Sequence, residues 1–109
     1  MSETFLIQTS VPDEAAGRRI ARILVEERLA ACATLSAESL SFYWWEGKIS
    51  TETERILFIK TRKDLYNDLE ARIREIHPYS LPEIIAFPIE KGLSPYLDWI
   101  AKETKSPSS

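Results

Sequence analysis

Few side chains in this sequence are equipped for chemistry. His77 is the only histidine, and a neutral imidazole is a good ligand for copper, zinc or nickel. It stands directly before Pro78, a position that equally suits a loop residue held by a hydrogen bond. Cys32 is the only cysteine; as a thiolate it is a soft ligand for copper(I), and between Ala31 and Ala33 it also reads as a small apolar residue. Three copies of His77 meet only if they lie near a threefold axis. Elsewhere, a metal site at His77 has to recruit Cys32, Glu46 or Glu83 from the same chain or a neighbour.

A second group is aromatic. Tyr43, Trp44 and Trp45 are able to stack on a ligand or to form a subunit contact, since aromatics dominate interface energetics. Adjacent strand residues face opposite sides, so one tryptophan can face a partner and the other a cleft. We assign Tyr43 and Trp44 to the subunit contact. Trp45 and Glu46, with Lys60, Tyr79 and Glu83, are assigned to a cleft for a small anionic or zwitterionic ligand, the other reading being a solvated ion pair. The sequence has no Cys/His catalytic motif, no acid pair spaced for general acid–base work, and no glycine-rich phosphate loop among its three glycines. It reads as a non-enzyme.

The elements that must position these groups follow from periodicity. Thr4 to Thr9 is a short apolar strand. Ser10-Val11-Pro12-Asp13-Glu14 opens a helix on which Ala16, Ile20, Ile23, Leu24 and Leu29 form the buried face. Cys32 to Phe42 and Arg55 to Thr61 read as two long strands around a turn at Glu46-Gly47-Lys48. Such a hairpin projects beyond a core of this size, and its exposed tryptophans call for a covering chain. Thr61 and Asp64 resemble a capping box before a second helix carrying Leu65, Leu69, Ile73 and Ile76. That helix stops at His77, because Pro78 disfavours helical dihedrals there. Ile84 to Ile89 is a fourth strand, with Pro88 at an edge. Ser94-Pro95 caps a final short helix, and residues 101–109 are expected to fray. The order βαββαβ plus a terminal helix is the α+β ferredoxin-like sandwich, with one sheet face left for partner subunits.

At 109 residues the chain makes one domain, residues 1–109, and its 44% hydrophobic and 28% charged content is that of a globular protein. A net charge of −3 argues against nucleic acid, which needs clustered Lys and Arg. The strand Arg55 to Lys60 also lacks the glycine and aromatic signature of RNA-binding sheets. A start without a basic-then-apolar segment, and the lack of any apolar run near membrane length, predict a cytoplasmic protein with no membrane contact.

In order along the chain stand Val11-Pro12-Asp13-Glu14, Leu24-Val25-Glu26-Glu27-Arg28-Leu29-Ala30-Ala31-Cys32-Ala33, Tyr43-Trp44-Trp45-Glu46-Gly47-Lys48, Ile59-Lys60-Thr61-Arg62, His77-Pro78-Tyr79, Pro82-Glu83-Ile84-Ile85-Ala86 and Tyr96-Leu97-Asp98-Trp99. This ordered set, from about Phe5 to Ile100, resembles the CutA divalent-cation tolerance family. The resemblance implies a ferredoxin-like protomer, a homotrimer joined by strand pairing between subunits, and a cytoplasmic role in copper tolerance with weakly bound copper or another divalent cation. It implies kinship with the trimeric PII signalling proteins, hence a second expectation: a signalling or scaffold trimer with a small metabolite in its intersubunit cleft. Carried over by position, Cys32 and His77 match the family's cysteine and histidine. Thr9 and Ile76 stand where some members carry a further cysteine and histidine.

Overall fold

The computed structural model describes residues 3–108. Met1, Ser2 and Ser109, which belong to the expected leaderless start and frayed tail, lie outside the described residues. The elements are β1 (Thr4–Val11), α1 (Glu14–Glu26), β2 (Cys32–Leu35), β3 (Ser39–Trp45), β4 (Lys48–Arg62), α2 (Tyr66–Ile76) after a 3-10 turn at Lys63–Leu65, β5 (Ile85–Pro88) and α3 (Ser94–Lys102). All pairings are antiparallel, in the order β2-β4-β1-β5, with β3 continuing alongside the far half of β4. This is the ferredoxin-like α+β arrangement expected.

The core lies between the sheet and α1 and α2. Ile7, Val11, Leu57 and Ile59 alternate onto the helix side and meet Ile20, Leu24, Leu69 and Ile73, all fully buried. Gly17 lets α1 come close, because a Cβ there would lie 2.5 Å from a Leu35 methyl. Asp13 caps α1 by accepting the Ala16 N–H at 2.8 Å, which leaves Pro12 outside the helix.

Four expectations are corrected. The first hairpin strand is not continuous: Leu35 pairs with Leu57 but Ser39 pairs with Glu54, so four steps on one strand answer three on the other. That extra residue is a β-bulge, which bends the strand and switches which face each side chain takes. Ser36 closes it, its hydroxyl accepting the Ile56 N–H at 2.8 Å. The Thr61–Asp64 capping box does not form, because the Thr61 hydroxyl donates to the Leu29 carbonyl and Asp64 pairs with Arg62. Ser94 lies inside α3, whose cap is Leu93. The expected frayed tail is tied down instead: Thr104 is buried against α3, the Lys105 N–H donates to the Arg28 carbonyl, and the Ser108 N–H to Asp68.

The hairpin tip is a two-residue turn, Glu46 (φ 50°) and Gly47 (φ 80°), with both residues in the left-handed region that matches strand twist. Lys48 already belongs to β4. Beyond the bulge the hairpin leaves the helices behind, stretching the molecule to 44 × 26 × 23 Å. Leu40, Phe42 and Trp44 with cross-strand Ile49 form an apolar stripe there, 60%, 67%, 73% and 62% exposed.

Candidate functional site

The bulge sends Ser41, Tyr43 and Trp45 to the same side of the hairpin as Glu52 and Glu54, the side that continues the open sheet face of Gln8 and Ser10. Over this face folds the loop that follows α2. Between loop and hairpin runs a groove of about 690 Å³, walled by residues 41–45 on one side and Pro78, Tyr79, Ser80 and Leu81 on the other, with Ser10, Glu54 and Glu83 between them.

His77 fixes the loop. It caps α2 with extended dihedrals, as Pro78 requires. Its Nε2 lies 2.9 Å from the Ser10 carbonyl, and its Nδ1 accepts the Tyr79 N–H at 3.1 Å. A carbonyl only accepts, so Nε2 carries the proton and the ring is neutral. Burial, and then the charge of Arg19, push its pKa below the ordinary 6.5, against the Ser10 bond. The residue is 8% exposed. Both ring nitrogens are occupied, so of the two sequence readings the hydrogen-bonded loop residue describes this conformation, and a metal at His77 has to displace one of these bonds.

Tyr79 carries the brace further. Its hydroxyl donates to Glu54 Oε2 at 2.7 Å; burial and the neighbouring carboxylate raise its pKa far above the usual phenol value, which keeps the proton on the tyrosine. Glu54 itself is only 8% exposed. Glu83 is held from the sheet, accepting from Gln8 Nε2 at 3.0 Å and Ser10 Oγ at 3.5 Å. Among the described residues neither Glu54 nor Glu83 belongs to an ion pair.

The expected cleft residues therefore divide. Trp45, Tyr79 and Glu83 line the groove, and so do Tyr43 and Trp44, expected at the subunit contact. Tyr43 and Trp45 share the groove face, whereas Trp44 alternates onto the apolar stripe. Glu46 is at the hairpin tip, outside the lining. Lys60 is elsewhere: six residues along β4 from Glu54, it sits about 20 Å away by strand rise. Among the described residues no Lys, Arg or His lines the groove, so this chain supplies no cation there for the anionic or zwitterionic ligand expected. Glu54, Ser10 and Gln8 went unnoticed in the sequence; the signal was Glu54's even spacing with Ile56 and Phe58 on the open face.

Lys60 and Cys32 belong together. They are cross-strand partners, and α3 lies over them. Lys60 Nζ donates to the Tyr96 hydroxyl at 3.2 Å, with the Cys32 sulfur 3.8 Å from that oxygen. The Tyr96 bond raises the lysine pKa, helped by Cys32 and opposed by burial. So α3 covers one end of the sheet face expected to be wholly open. Cys32 is half-buried. By register Ser10 faces Ile56, four residues from Lys60, so Cys32 and His77 are separated by about 13 Å along the sheet and do not form one site. Thr9 is buried in the core with no hydrogen-bond partner for its hydroxyl among the described residues, and Ile76 packs on the same core. Among the described residues no three of His, Cys, Asp and Glu gather as a metal cluster, and no helix is long and apolar enough to cross a membrane.

Residues 5–103 match the family described as CutA1 divalent ion tolerance protein. A divalent-cation tolerance protein CutA of Pyrococcus horikoshii is 42% identical over 100 residues, 92% of this chain and 97% of its own length. The chloroplastic protein CutA 1 of Oryza sativa is 39% identical over 102 residues, 94% of this chain; this chain spans 58% of its length. Among solved structures, CutA from Xylella fastidiosa superposes with a TM-score of 0.93 at 43% identity, covering 95% of this chain and all of that one. The fold described above is thus shared with these proteins, and the chain belongs to the CutA1 divalent-ion tolerance family.

Proposed function

We propose that this chain acts in divalent-cation tolerance as a cytoplasmic homotrimer that binds copper or a related ion weakly and catalyses no reaction. The observation that carries the assembly is the stripe of Leu40, Phe42, Trp44 and Ile49, exposed on an arm with no helix beneath it. Apolar patches of this kind on soluble chains mark interaction surfaces. For the ion, Cys32 fits better than His77: its thiol makes one long contact, at 3.8 Å, whereas both His77 nitrogens are engaged. A single soft ligand per chain holds copper(I) weakly unless another subunit completes the shell.

An anaerobic copper(I) titration of the protein, Cys32→Ser and His77→Ala tests this, with mass by light scattering in the same buffer. The expected result is a particle of three 12.5 kDa chains that binds copper at a fixed ratio, loses it in Cys32→Ser and keeps it in His77→Ala. A monomer, or unsaturable binding indifferent to Cys32, overturns the proposal.

The groove favours a second reading, a PII-like signalling or scaffold trimer that holds a small molecule between loop and hairpin. Its volume suits such a ligand.

A further inference from the structure

We infer that the groove between the hairpin and the His77 loop takes an organic cation, an ammonium group carried on an apolar body. The inference rests on the second reading above, that the groove holds a small molecule, and names the class. Two carboxylates, Glu54 and Glu83, line it without any basic side chain. Several carboxylates elsewhere have a counter-charge: Glu14 has Arg18, Glu27 has Arg72 and Glu103 has Arg28. Glu54 has none, and it is the one buried carboxylate among the described residues. It is 8% exposed, takes a hydroxyl from Tyr79, and has no counter-charge among the described ion pairs. A charge so placed attracts a cation more strongly than one in free solution, because the surrounding dielectric is lower.

The walls decide which cation. Tyr43 and Trp45 present partly exposed rings on the face that carries Glu54, and a ring face attracts an ammonium within about 6 Å of its centroid. Hard metal ions prefer a shell of oxygens; here two carboxylates are the only acidic groups in the lining, and about half of the wall is apolar, with Tyr43, Trp45, Tyr79, Pro78 and Leu81 beside the serines. An amine with an apolar substituent uses both parts of the groove. An anion meets two like charges.

The test is calorimetric titration of the intact protein with benzyltrimethylammonium, benzyl alcohol and phenylacetate, followed in parallel by tryptophan fluorescence. Benzyltrimethylammonium is expected to bind once per chain, about tenfold or more tighter than the other two. Glu54→Gln and Glu83→Gln are each expected to weaken it by about tenfold, with circular dichroism unchanged. Glu83 is exposed, so its variant keeps the test valid should the buried position not tolerate substitution. Equal or tighter binding of the alcohol or phenylacetate overturns the cation class and leaves the small-molecule reading standing. Undiminished ammonium binding in both variants overturns the class as well. No binding of any of the three overturns both.

Discussion

The two halves of β4 are one strand with opposite circumstances. From Arg55 to Arg62 it is the centre of the sheet, with β1 on one side, β2 on the other and helices beneath, and Leu57, Ile59 and Thr61 are fully buried. From Lys48 to Thr53 it has a single partner, β3, and the apolar groups around it are exposed. Both halves are rich in β-formers, so propensity does not separate them. What differs is the layer beneath: the first half rests on α1 and α2, and the second extends past them. A hairpin standing alone in water is marginal. In the assembly proposed above the arm draws its stability from partner subunits, whereas the body is built by the single chain.

The sharpest way to break that contrast is a pair of truncations. Ile59→Ala opens a cavity in the body and is expected to cost about 3 to 4 kcal/mol, seen as a lower guanidinium midpoint at fixed protein concentration. Trp44→Ala on the arm is expected to leave the circular dichroism of the sheet unchanged and to reduce the particle mass. If Trp44→Ala lowers the guanidinium midpoint as Ile59→Ala does while the particle mass stays that of the parent protein, arm and body are one unit.

Next in size is Tyr79→Phe, at the joint between the halves. It removes the hydroxyl on Glu54 and leaves a buried carboxylate short of a donor, a loss of about 2 kcal/mol. The midpoint should fall and the loop at residues 78–83 should become open to protease. Smaller again is Ser36→Ala, which strips the bulge of the oxygen that accepts the Ile56 N–H. About 1 kcal/mol is expected, with faster amide exchange at Ile56 than at Leu57. Equal exchange would mean that the bulge is held by its backbone alone.

The body was legible in the sequence because its signals agree: the short apolar run Thr4 to Thr9, helical spacing over Ala16 to Leu24, and the stop before Pro78 all lead to what is observed. The joint was not. Ala33, Leu35 and Ala37 alternate as a straight strand would, and Leu40 and Phe42, out of phase with them, betray the inserted residue. A bulge turns on one serine hydroxyl and one register step, neither of which periodicity records. The site divided for the same reason. Tyr79 and Glu83 stand in a loop fixed by Pro78 and Pro82, which brings them to the groove, whereas Lys60, expected beside them, lies at the opposite end of the sheet. Glu54, whose exposed-looking run Thr51-Glu52-Thr53-Glu54 conceals one buried carboxylate, becomes visible only when Tyr79 folds over it.

The smallest effect expected is a pH dependence, and its sign follows from His77. Its pKa is lower in the folded chain than in the unfolded one, chiefly through burial, so the unfolded chain binds more protons at pH values below about 6.5. Stability should be fully present above that value and decline as pH falls through it. The groups facing the ring are few: Arg19, which donates to the Ile76 carbonyl, opposes its protonation, and Glu54 favours it. Protonation also fills Nδ1, so the Tyr79 N–H loses its acceptor and the loop loses one tether, worth about 1 kcal/mol. The comparison is the guanidinium midpoint of the protein and of His77→Asn at pH 8 and pH 5.5. The variant should be the less stable at pH 8, and the gap should narrow at pH 5.5, because the native chain alone has lost its contact. A gap that widens on acidification would mean that His77 is held as a cation, with the Ser10 carbonyl rather than the Tyr79 amide as the bond that fixes the loop.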